Sequence, residues 1–290
     1  MTISFQGIRG RAAVPKEPDP ATKAALGWTH SARFLTTASQ LDQLPASEIP
    51  EIAFVGRSNA GKSTAINRLA QQKRLAFASR TPGRTQHINL FEVGPKDAPD
   101  ALFADLPGYG YAAVERSAKL RWQAVMADYL QLRRPLHGVV LMVDSRLGFT
   151  ELDQRLLTLM APRLVNGEVR LLVLLTKADK LNRGDAQLAL QKAQDHLGSI
   201  STESSDIAVS LFSALSREGL GDVAVSIRGW VHPVKVRSAA GSEAEEATRD
   251  AEIGAESKGE PATETDTDTD TDTDTDSDSD SESDTDNTPA

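Results

Sequence analysis

The sequence predicts an α/β fold in which a mostly parallel β-sheet carries helices on both faces and one antiparallel strand at an edge. Two observations support this prediction. From Ile49 onward, apolar runs typical of buried strands alternate with segments of helical spacing, and such alternation favours parallel pairing. One segment, 87–94, instead alternates apolar and polar residues and lies close enough to the next run to form a hairpin.

Five apolar runs are predicted to form the buried strands of this sheet: 52–55, 101–106, 137–144, 170–176 and 207–214. The predicted helices are 62–70, 118–134, 151–164, 186–197 and 218–231. The segment 87–94 is expected to pair antiparallel with 101–106 through the turn region 94–100. Residues 31–44 could add a short strand and a turn.

The two ends of the chain depart from this pattern. The stretch 1–22 is rich in proline, glycine and charge, and we expect residues 1–30 to form a poorly ordered extension before a folded domain over 31–236. We expect residues 237–290 to be disordered. Their Thr-Asp and Ser-Asp repeats carry almost no apolar side chains, so burial cannot offset the entropy of ordering the chain.

Charge is divided unequally between the domain and the tail. Residues 238–290 hold 19 acidic and two basic residues, a net charge of −17, and residues 1–237 hold 30 basic and 22 acidic residues, a net charge of +8. A basic domain suggests a polyanionic partner such as RNA, although ordinary surface charge would also explain the value. The tail either competes with RNA for the domain or acts as a solubilising extension.

Composition excludes several kinds of site. The chain has no cysteine, which excludes disulfides, thiolate metal sites and cysteine nucleophiles. The N-terminal residues contain no apolar run typical of a signal peptide. No apolar run reaches the length of about 18 residues that a membrane-spanning helix needs. We therefore expect a cytoplasmic protein with no membrane span.

Residues 56–63 read GRSNAGKS and lie between a predicted strand and a predicted helix. This is the phosphate-binding pattern G-x-x-x-x-G-K-[ST] in the context that it requires. Its glycines let backbone N–H groups surround a phosphate at the positive end of the helix dipole. Lys62 is expected to reach the β- and γ-phosphates, and the Ser63 hydroxyl to bind magnesium.

The segment 176–179, TKAD, follows a predicted strand and indicates guanine rather than adenine. The Asp179 carboxylate can accept hydrogen bonds from both donors on the guanine edge, and adenine lacks that donor pair. Lys177 can lay its alkyl chain along the base. Ser213 and neighbouring backbone N–H groups, at the end of the last strand, are expected near the guanine O6 atom.

Two further segments indicate loops that respond to the γ-phosphate. The segment 105–108, DLPG, ends a predicted strand; Asp105 is expected to hold magnesium through water and the Gly108 N–H to touch the γ-phosphate. Between it and the phosphate loop lies TPGRTQH, in which Thr85 is the expected second hydroxyl ligand of magnesium. Such loops order with triphosphate and release after hydrolysis. Each segment could alternatively be a simple turn.

Together GRSNAGKST, TPGRTQ, DLPGYGYA, TKADK and FSAL, in this order, resemble the EngB family (also called YihA or YsxC) of bacterial Ras-like P-loop GTPases. The resemblance covers roughly residues 31–234. It implies a Ras-like domain with a six-stranded sheet, GTP and GDP as ligands, and Mg²⁺ as cofactor. It also implies a role in large ribosomal subunit assembly, with the subunit precursor as partner, and in normal cell division and septation. We expect a monomer.

The resemblance assigns roles residue by residue. It implies nucleotide contacts from Gly56, Arg57, Ser58, Asn59, Ala60, Gly61, Lys62 and Ser63; from Gly83, Arg84, Thr85, Gln86 and His87; from Asp105, Leu106, Pro107 and Gly108; from Thr176, Lys177, Ala178 and Asp179; and from Phe212, Ser213 and Ala214. Magnesium ligands carry over to Ser63 and Thr85. The residues expected to act in catalysis are Lys62, Thr85, Asp105 and Gly108.

Three positions bear on mechanism. Thr176 stands where asparagine is usual, which predicts the loss of an amide that braces the phosphate loop. Tyr109 stands where a glutamine often orients the attacking water, which predicts slow hydrolysis stimulated by a partner or ion. Asn59 resembles the asparagine of potassium-activated GTPases and could help to hold K⁺, or it could only stabilise the loop.

Two other functions remain open at this stage. A small-molecule kinase would also use a phosphate loop, but it would give TKAD no purpose. A GDP- or GTP-binding scaffold for division proteins, with little turnover, would use every motif above. The predicted helix 118–134 carries several basic residues and is a candidate docking surface for RNA or a ribosomal protein.

Overall fold

The computed structural model describes residues 18–76, 87–110 and 116–233, with the side chains of 116–122 excepted. Within these residues the strands are β1 (Arg33–Ala38), β2 (Glu51–Gly56), β3 (Ile88–Val93), β4 (Ala101–Asp105), β5 (Leu136–Asp144), β6 (Arg170–Thr176) and β7 (Ile207–Leu211). The α-helices are α1 (Pro20–His30), α2 (Lys62–Leu69), α3 (Arg116–Leu132), α4 (Glu151–Val165), α5 (Arg183–Gly198) and α6 (Leu220–Val231). The tail over 237–290 lies outside the described residues.

The strands form one mixed sheet in the order β1-β3-β4-β2-β5-β6-β7, and the predicted α/β class is confirmed. Strand β3 pairs antiparallel with both β1 and β4, while β2, β4, β5, β6 and β7 pair in parallel. The described sheet therefore has seven strands instead of the predicted six. Its one antiparallel strand, β3, is the second strand from the edge and not the edge strand itself. The added strand, β1, is a poor match to a buried run because Phe34 and Leu35 are exposed.

Helix α1 contradicts the expectation of a poorly ordered extension over 1–30 for its own residues, 20–30, whereas residues 1–17 lie outside the described residues. Its N-terminus is capped by Asp19, which accepts hydrogen bonds from the Thr22 backbone N–H at 3.0 Å and the Thr22 hydroxyl at 2.7 Å, and Pro20 occupies the first turn. At its other end, the buried Thr29 hydroxyl bonds the Leu69 carbonyl of α2 at 2.8 Å. Proline and aspartate at a helix start resemble loop composition, which explains the error.

Helices cover both faces of the sheet. Helices α3, α4 and α5 pack on one face, and α1, α2 and α6 pack on the other. Strand β2 shows the consequence in the sequence: Ala53 and Val55 lie in the first core, Ile52 and Phe54 lie in the second, and all four are fully buried. A strand buried on both faces reads as a continuous apolar run, which is why this strand was predictable.

At the amino end of the central strands, a buried acid ties α3 to β2. Glu51 is fully buried, and its carboxylate accepts hydrogen bonds from the Tyr129 hydroxyl at 2.5 Å and from the Arg133 guanidinium at 2.6 Å and 3.0 Å. Burial, with the Glu51 charge beside it, raises the pKa of Tyr129 well above its usual range. The negative charge of Glu51 is therefore balanced by the positive charge of Arg133, and Tyr129 keeps its proton.

The opposite end of the sheet carries the loops of interest. The parallel strands β2, β4, β5, β6 and β7 all end at this carboxyl edge, where open α/β sheets bind ligands. No helix among the described residues has both the length and the apolar character to cross a bilayer.

Candidate active site

The loop after β2 turns sharply into α2. Gly61 precedes the first residue of α2 with a left-handed φ of +105°, which glycine adopts without steric cost. Within the loop, the Ala60 N–H bonds the Arg57 carbonyl at 3.0 Å, and the Ser58 N–H bonds the Tyr109 carbonyl at 2.8 Å. The loop leads directly into the N-terminus of α2, where unbonded N–H groups and the helix dipole favour an anion.

Lys62 and Asp105 form a buried ion pair beneath this loop. The Lys62 ammonium contacts the Asp105 Oδ1 atom, and both side chains are more than 90% removed from solvent. The other oxygen, Asp105 Oδ2, is buried without a hydrogen-bond partner in the described residues. A buried carboxylate oxygen without a donor is costly, so this atom fits a site completed by a bound group.

Magnesium with its bound waters is such a group. The ion prefers oxygen ligands and retains several waters, and those waters would donate to Asp105 Oδ2. Ser63, in the first turn of α2, offers a hydroxyl beside Lys62. The Asp105 carboxylate oxygen, as an acceptor from bound water, and the Ser63 hydroxyl, as a ligand, fit the predicted magnesium site. The predicted second ligand, Thr85, lies outside the described residues, as do Gly83, Arg84 and Gln86.

The segment after β4 packs tightly against the phosphate loop. Leu106 and Pro107 are buried, and a Cβ atom added to Gly108 would lie 3.2 Å from the Ser58 backbone nitrogen and Cα atom. The Tyr109 N–H bonds the Gly56 carbonyl at 3.3 Å. Glycine at 108 therefore permits the close backbone approach that joins the two loops.

The side chain of Tyr109 is committed to the core of the protein. Its hydroxyl donates to the buried Asp153 Oδ1 atom at 2.5 Å, and burial together with the Asp153 charge raises its pKa above the usual range. The other Asp153 oxygen accepts from the Thr150 N–H at 2.7 Å and the Thr150 hydroxyl at 2.6 Å at the start of α4. Tyr109 thus links the phosphate loop to α4 and is not placed to orient a water.

Thr176 corrects a prediction. The sequence predicted that threonine at this position removes a brace from the phosphate loop. Instead, its hydroxyl donates to the Ala60 carbonyl at 2.6 Å and also lies 3.2 Å from the Val143 carbonyl. The end of β6 approaches the loop closely enough for a short side chain to make this bond, so the brace is present.

Lys177 provides a second brace and reveals a residue that sequence reasoning missed. Its ammonium donates to the Asn59 carbonyl and to the Asp144 carboxylate, each at 2.8 Å. Arg146 also bonds Asp144, at 2.7 Å and 2.9 Å. Burial alone would raise the pKa of Asp144, but hydrogen bonds from Arg146 and Lys177 outweigh it and hold the pKa well below its usual range.

A signal for Asp144 was present in the sequence. The residue ends β5 directly beside Thr176 of β6, as Asp105 ends β4. An acidic residue at the carboxyl end of a buried strand is a candidate site residue, and this one belongs to no motif.

Asn59 adopts a left-handed φ of +65°, which asparagine tolerates better than most residues. Its carbonyl receives the Lys177 bond described above, and its side chain is exposed and lines a cavity of about 170 Å³ beside Asp144. This geometry gives Asn59 a role in shaping the loop. Whether its side chain also holds K⁺ stays a prediction.

Asp179 is positioned by Ser213. The buried Ser213 Oγ atom accepts from the backbone N–H groups of Leu215 at 3.2 Å and Ser216 at 3.1 Å, so its single proton is directed to Asp179 Oδ1 at 2.6 Å. This hydrogen bond, more than the nearby Lys180, lowers the pKa of Asp179. The carboxylate is thereby held ionised and oriented, as an acceptor of two N–H donors must be.

The loop after β7 differs in one respect from the prediction that Ser213 faces the guanine O6 atom. The Ser213 N–H is already bonded to the Glu218 carbonyl at 3.1 Å, and its hydroxyl holds Asp179. The next N–H, that of Ala214, makes no hydrogen bond to the described residues, and it is the group left for a base oxygen. Phe212 is buried beneath the loop, and its carbonyl accepts from the Ala178 N–H at 3.2 Å.

His87, the last predicted contact of its segment, is described and exposed. Its Nδ1 atom lies 2.8 Å from the Ser39 hydroxyl. It precedes β3, whose Asn89 pairs with Asp105, so it lies at the same edge of the sheet as the other predicted residues.

Comparisons with known proteins agree with this geometry. A family model described as "50S ribosome-binding GTPase" matches residues 51–177. The probable GTP-binding protein EngB of Acidovorax ebreus is 57% identical over 215 residues, covering 74% of this chain and 95% of that protein. The protein of the same name from a Polaromonas species is 54% identical over 230 residues, covering 79% and 90%.

A solved structure shows the same fold. The structure of Era in complex with MgGDPNP and nucleotides 1506–1542 of 16S ribosomal RNA matches with a TM-score of 0.51 at 20% identity, covering 64% of this chain and 58% of that one. The sequence identity to the EngB proteins, over almost their whole length, decides the family. The chain belongs to the EngB family of GTP-binding proteins, and it is a GTPase.

Proposed function

We propose that this GTPase is a cytoplasmic, monomeric switch that binds a precursor of the large ribosomal subunit in its GTP state and acts in the assembly of that subunit. The description of the matching family model, a 50S ribosome-binding GTPase, supports this choice of partner. The net charge of +8 on residues 1–237 suits a partner made largely of RNA. A role in cell division and septation follows from the same resemblance.

The proposed binding of nucleotide uses the carboxyl edge of the sheet. Lys62 and the loop 56–63 hold the phosphates, and Asp179, oriented by Ser213 at 2.6 Å, selects guanine. The Gly108 N–H contacts the γ-phosphate. The observation that carries the guanine assignment is this oriented carboxylate.

The proposed magnesium site uses the Ser63 and Thr85 hydroxyls, with Asp105 accepting from bound water. Bound magnesium neutralises charge on the β- and γ-phosphates. The protein itself contributes the Lys62 cation, the N–H groups of the phosphate loop and the buried Asp105 Oδ2 atom, which has no donor among the described residues.

The proposed intrinsic rate of hydrolysis is slow. The Tyr109 hydroxyl is bonded to Asp153, so this residue does not replace the glutamine that orients water in other GTPases. A partner or ion would supply further charge stabilisation. If K⁺ bound at Asn59 is that ion, the rate of GTP hydrolysis is higher in potassium than in sodium buffer; equal rates reject K⁺.

Sedimentation with purified large-subunit precursors tests the proposal. We expect the protein to co-sediment with the precursor in the presence of a non-hydrolysable GTP analogue and to remain in the supernatant with GDP. ATP should fail to displace labelled GTP. Equal co-sedimentation with both nucleotides, or none, would reject the switch and favour a nucleotide-binding scaffold for division proteins.

A further inference from the structure

A groove of about 580 Å³ separates α1, α2 and the loop before α6, on the face of the sheet opposite α3, α4 and α5. Leu26 and His30 of α1 form one wall, and Arg68 of α2 and Lys73 just beyond it form another. Arg217, in the loop between β7 and α6, also lines the groove. None of the predicted nucleotide contacts that the structure describes lines this groove.

The groove carries positive charge that no carboxylate of the described residues balances locally. Arg68, Lys73 and Arg217 are exposed, and none of the described residues that line the groove is acidic. Within the described residues, none of the three lies within ion-pairing distance of a carboxylate. Elsewhere on the surface, by contrast, Arg146 and Arg155 are each paired with one. Three cations that share one groove, with no carboxylate partner in the part of the chain that the structure describes, favour a polyanionic ligand.

The backbone of the groove has unusual conformations. Among the described residues, the four non-glycine residues with positive φ are Asn59, Gln71, Lys177 and Arg217. Asn59 and Lys177 belong to the phosphate loop and its brace, whereas Gln71 (φ +53°) and Arg217 (φ +62°) line the groove. Gln71 follows the end of α2 in the left-handed conformation that commonly terminates helices, and the Gln72 N–H bonds the Asn67 carbonyl at 2.9 Å there. Arg217 lies in a loop and holds an uncommon conformation of the kind that concentrates at functional sites.

The groove is connected to the loop after β7, which carries Ser213. The backbone carbonyl of Glu218, the residue after Arg217, accepts a hydrogen bond from the Ser213 N–H at 3.1 Å, and the Ser213 hydroxyl holds Asp179. Gly219, the residue before α6, then has a left-handed conformation with a φ of +74°. A ligand on Arg217 would therefore touch the loop that positions the guanine-selecting carboxylate.

The chemistry of the lining favours a nucleic-acid backbone over an acidic protein. Protein interfaces concentrate binding energy in aromatic and large apolar anchors, but none of the exposed large apolar side chains of the described residues lines this groove. Arginine and lysine supply only hydrogen-bond donors, which match phosphate oxygens. Among the described residues that line the groove there is no Phe, Tyr or Trp, and His30 is the only ring on which a base could stack. Contacts to phosphates should therefore outweigh contacts to bases.

One cation of the candidate docking helix region is already used within the fold. In α3 and just beyond it, Arg133 is bonded to the buried Glu51 carboxylate at 2.6 Å. Its charge therefore holds the fold together. The side chains of 116–122 lie outside the described residues.

We propose that the groove formed by Arg68, Lys73 and Arg217 binds the phosphodiester backbone of RNA without sequence preference, next to the nucleotide site. This inference rests on the proposed function and deepens it, because it places the RNA contact on the α1–α2–α6 face.

The test compares two double variants of the full chain. In the groove variant, Arg68→Gln and Lys73→Gln remove two positive charges. In the control variant, Arg183→Gln and Lys192→Gln remove two exposed positive charges from α5 on the opposite face. Binding of a short mixed-sequence RNA is measured by fluorescence anisotropy over a series of salt concentrations, and GTP affinity is measured alongside to show that both variants are folded.

We expect the groove variant to bind RNA about tenfold more weakly than the unmodified chain at moderate salt. The slope of log affinity against log salt concentration should become shallower by about 1.5, because binding through two fewer phosphate contacts releases fewer counterions. The control variant should keep most of its affinity, and both should bind GTP normally. Equal weakening in both variants, or none in the groove variant, would overturn the proposal. A larger effect on binding of polyglutamate than of RNA would overturn it in favour of an acidic protein.

This result is independent of the sedimentation experiment. If the unmodified chain never binds large-subunit precursors, the proposed function fails whatever the RNA measurement shows. If it binds them in the GTP state and the groove variant binds RNA normally, only the groove assignment fails.

Discussion

Two buried ion pairs lie at opposite ends of the central strands, and they differ in how completely they are satisfied. At the amino end, Glu51 is surrounded by the donors of Tyr129 and Arg133. At the carboxyl end, Asp105 contacts Lys62 through one oxygen while its other oxygen has no partner in the described residues. Folding alone favours a hydrogen-bond partner for every buried polar atom. The pair with an unpartnered oxygen, Lys62–Asp105, therefore indicates a binding site, and the fully hydrogen-bonded pair, Glu51–Arg133, a structural role.

The largest effect is expected at the structural pair. Glu51→Ala leaves the Arg133 guanidinium without its buried partner, which should lower the free energy of unfolding by about 3 to 5 kcal/mol. Urea denaturation measures this loss. The control is Glu151→Ala, which removes an exposed ion pair with Arg155 and should cost at most about 1 kcal/mol. A similar small loss for both variants would contradict the structural role.

At the site pair, function should fall more than stability. Lys62→Ala removes the cation that contacts the phosphates in the proposed mechanism, and GTP turnover should fall about a hundredfold. Asp105→Asn should reduce turnover comparably. It leaves the buried Lys62 cation without its carboxylate, which lowers the free energy of unfolding, but the loss should be smaller than in Glu51→Ala because the amide still offers Lys62 an oxygen acceptor. If Asp105→Asn destabilises the fold as strongly as Glu51→Ala does, the comparison between the two pairs is wrong.

Within the candidate site, the Asp179 carboxylate differs from Asp105 because a protein side chain, Ser213, already holds it. Ser213→Ala removes the hydrogen bond that orients Asp179, and GTP affinity should fall about tenfold because the lost bond is to a charged group. Calorimetric titration measures this change. Normal GTP affinity in this variant would show that Asp179 needs no orientation.

The same variant should change the pH dependence of GTP binding. Asp179 accepts guanine donors only when ionised, so affinity is present above its pKa and is lost as pH falls through that pKa. Ser213 lowers this pKa. Without Ser213 the pKa moves back toward its usual value, so affinity should begin to fall at a higher pH than in the unmodified chain. Identical pH profiles would reject this assignment.

The smallest effect is expected at the brace of the phosphate loop. Thr176→Val removes the hydroxyl that bonds the Ala60 carbonyl at 2.6 Å but retains the shape of the side chain. The loss of one hydrogen bond of about 1 kcal/mol should weaken GTP binding about fivefold. Thr176→Ser, which keeps a hydroxyl, is the matched control and should bind GTP nearly normally.

Local patterns predicted most of the core of this fold. Strands β2, β4, β5 and β6 are continuous apolar runs because helices cover both of their faces, and the antiparallel pairing of β3 with β4 was predictable from a short connection. Helix α1 and strand β1 were less visible. Their order depends on contacts with distant residues, such as the bond from the Thr29 hydroxyl to Leu69 and the pairing of β1 with β3.

By itself, the sequence determined the fold class and predicted the segments of the candidate site, because glycines, a lysine and acidic residues at strand ends carry their chemistry locally. Only the tertiary structure decided how those side chains are used. It brought the Thr176 hydroxyl to the phosphate loop, directed Ser213 to Asp179, paired Lys177 with Asp144 and anchored Tyr109 on Asp153. Each of these bonds joins residues far apart in the chain, so no local pattern records it.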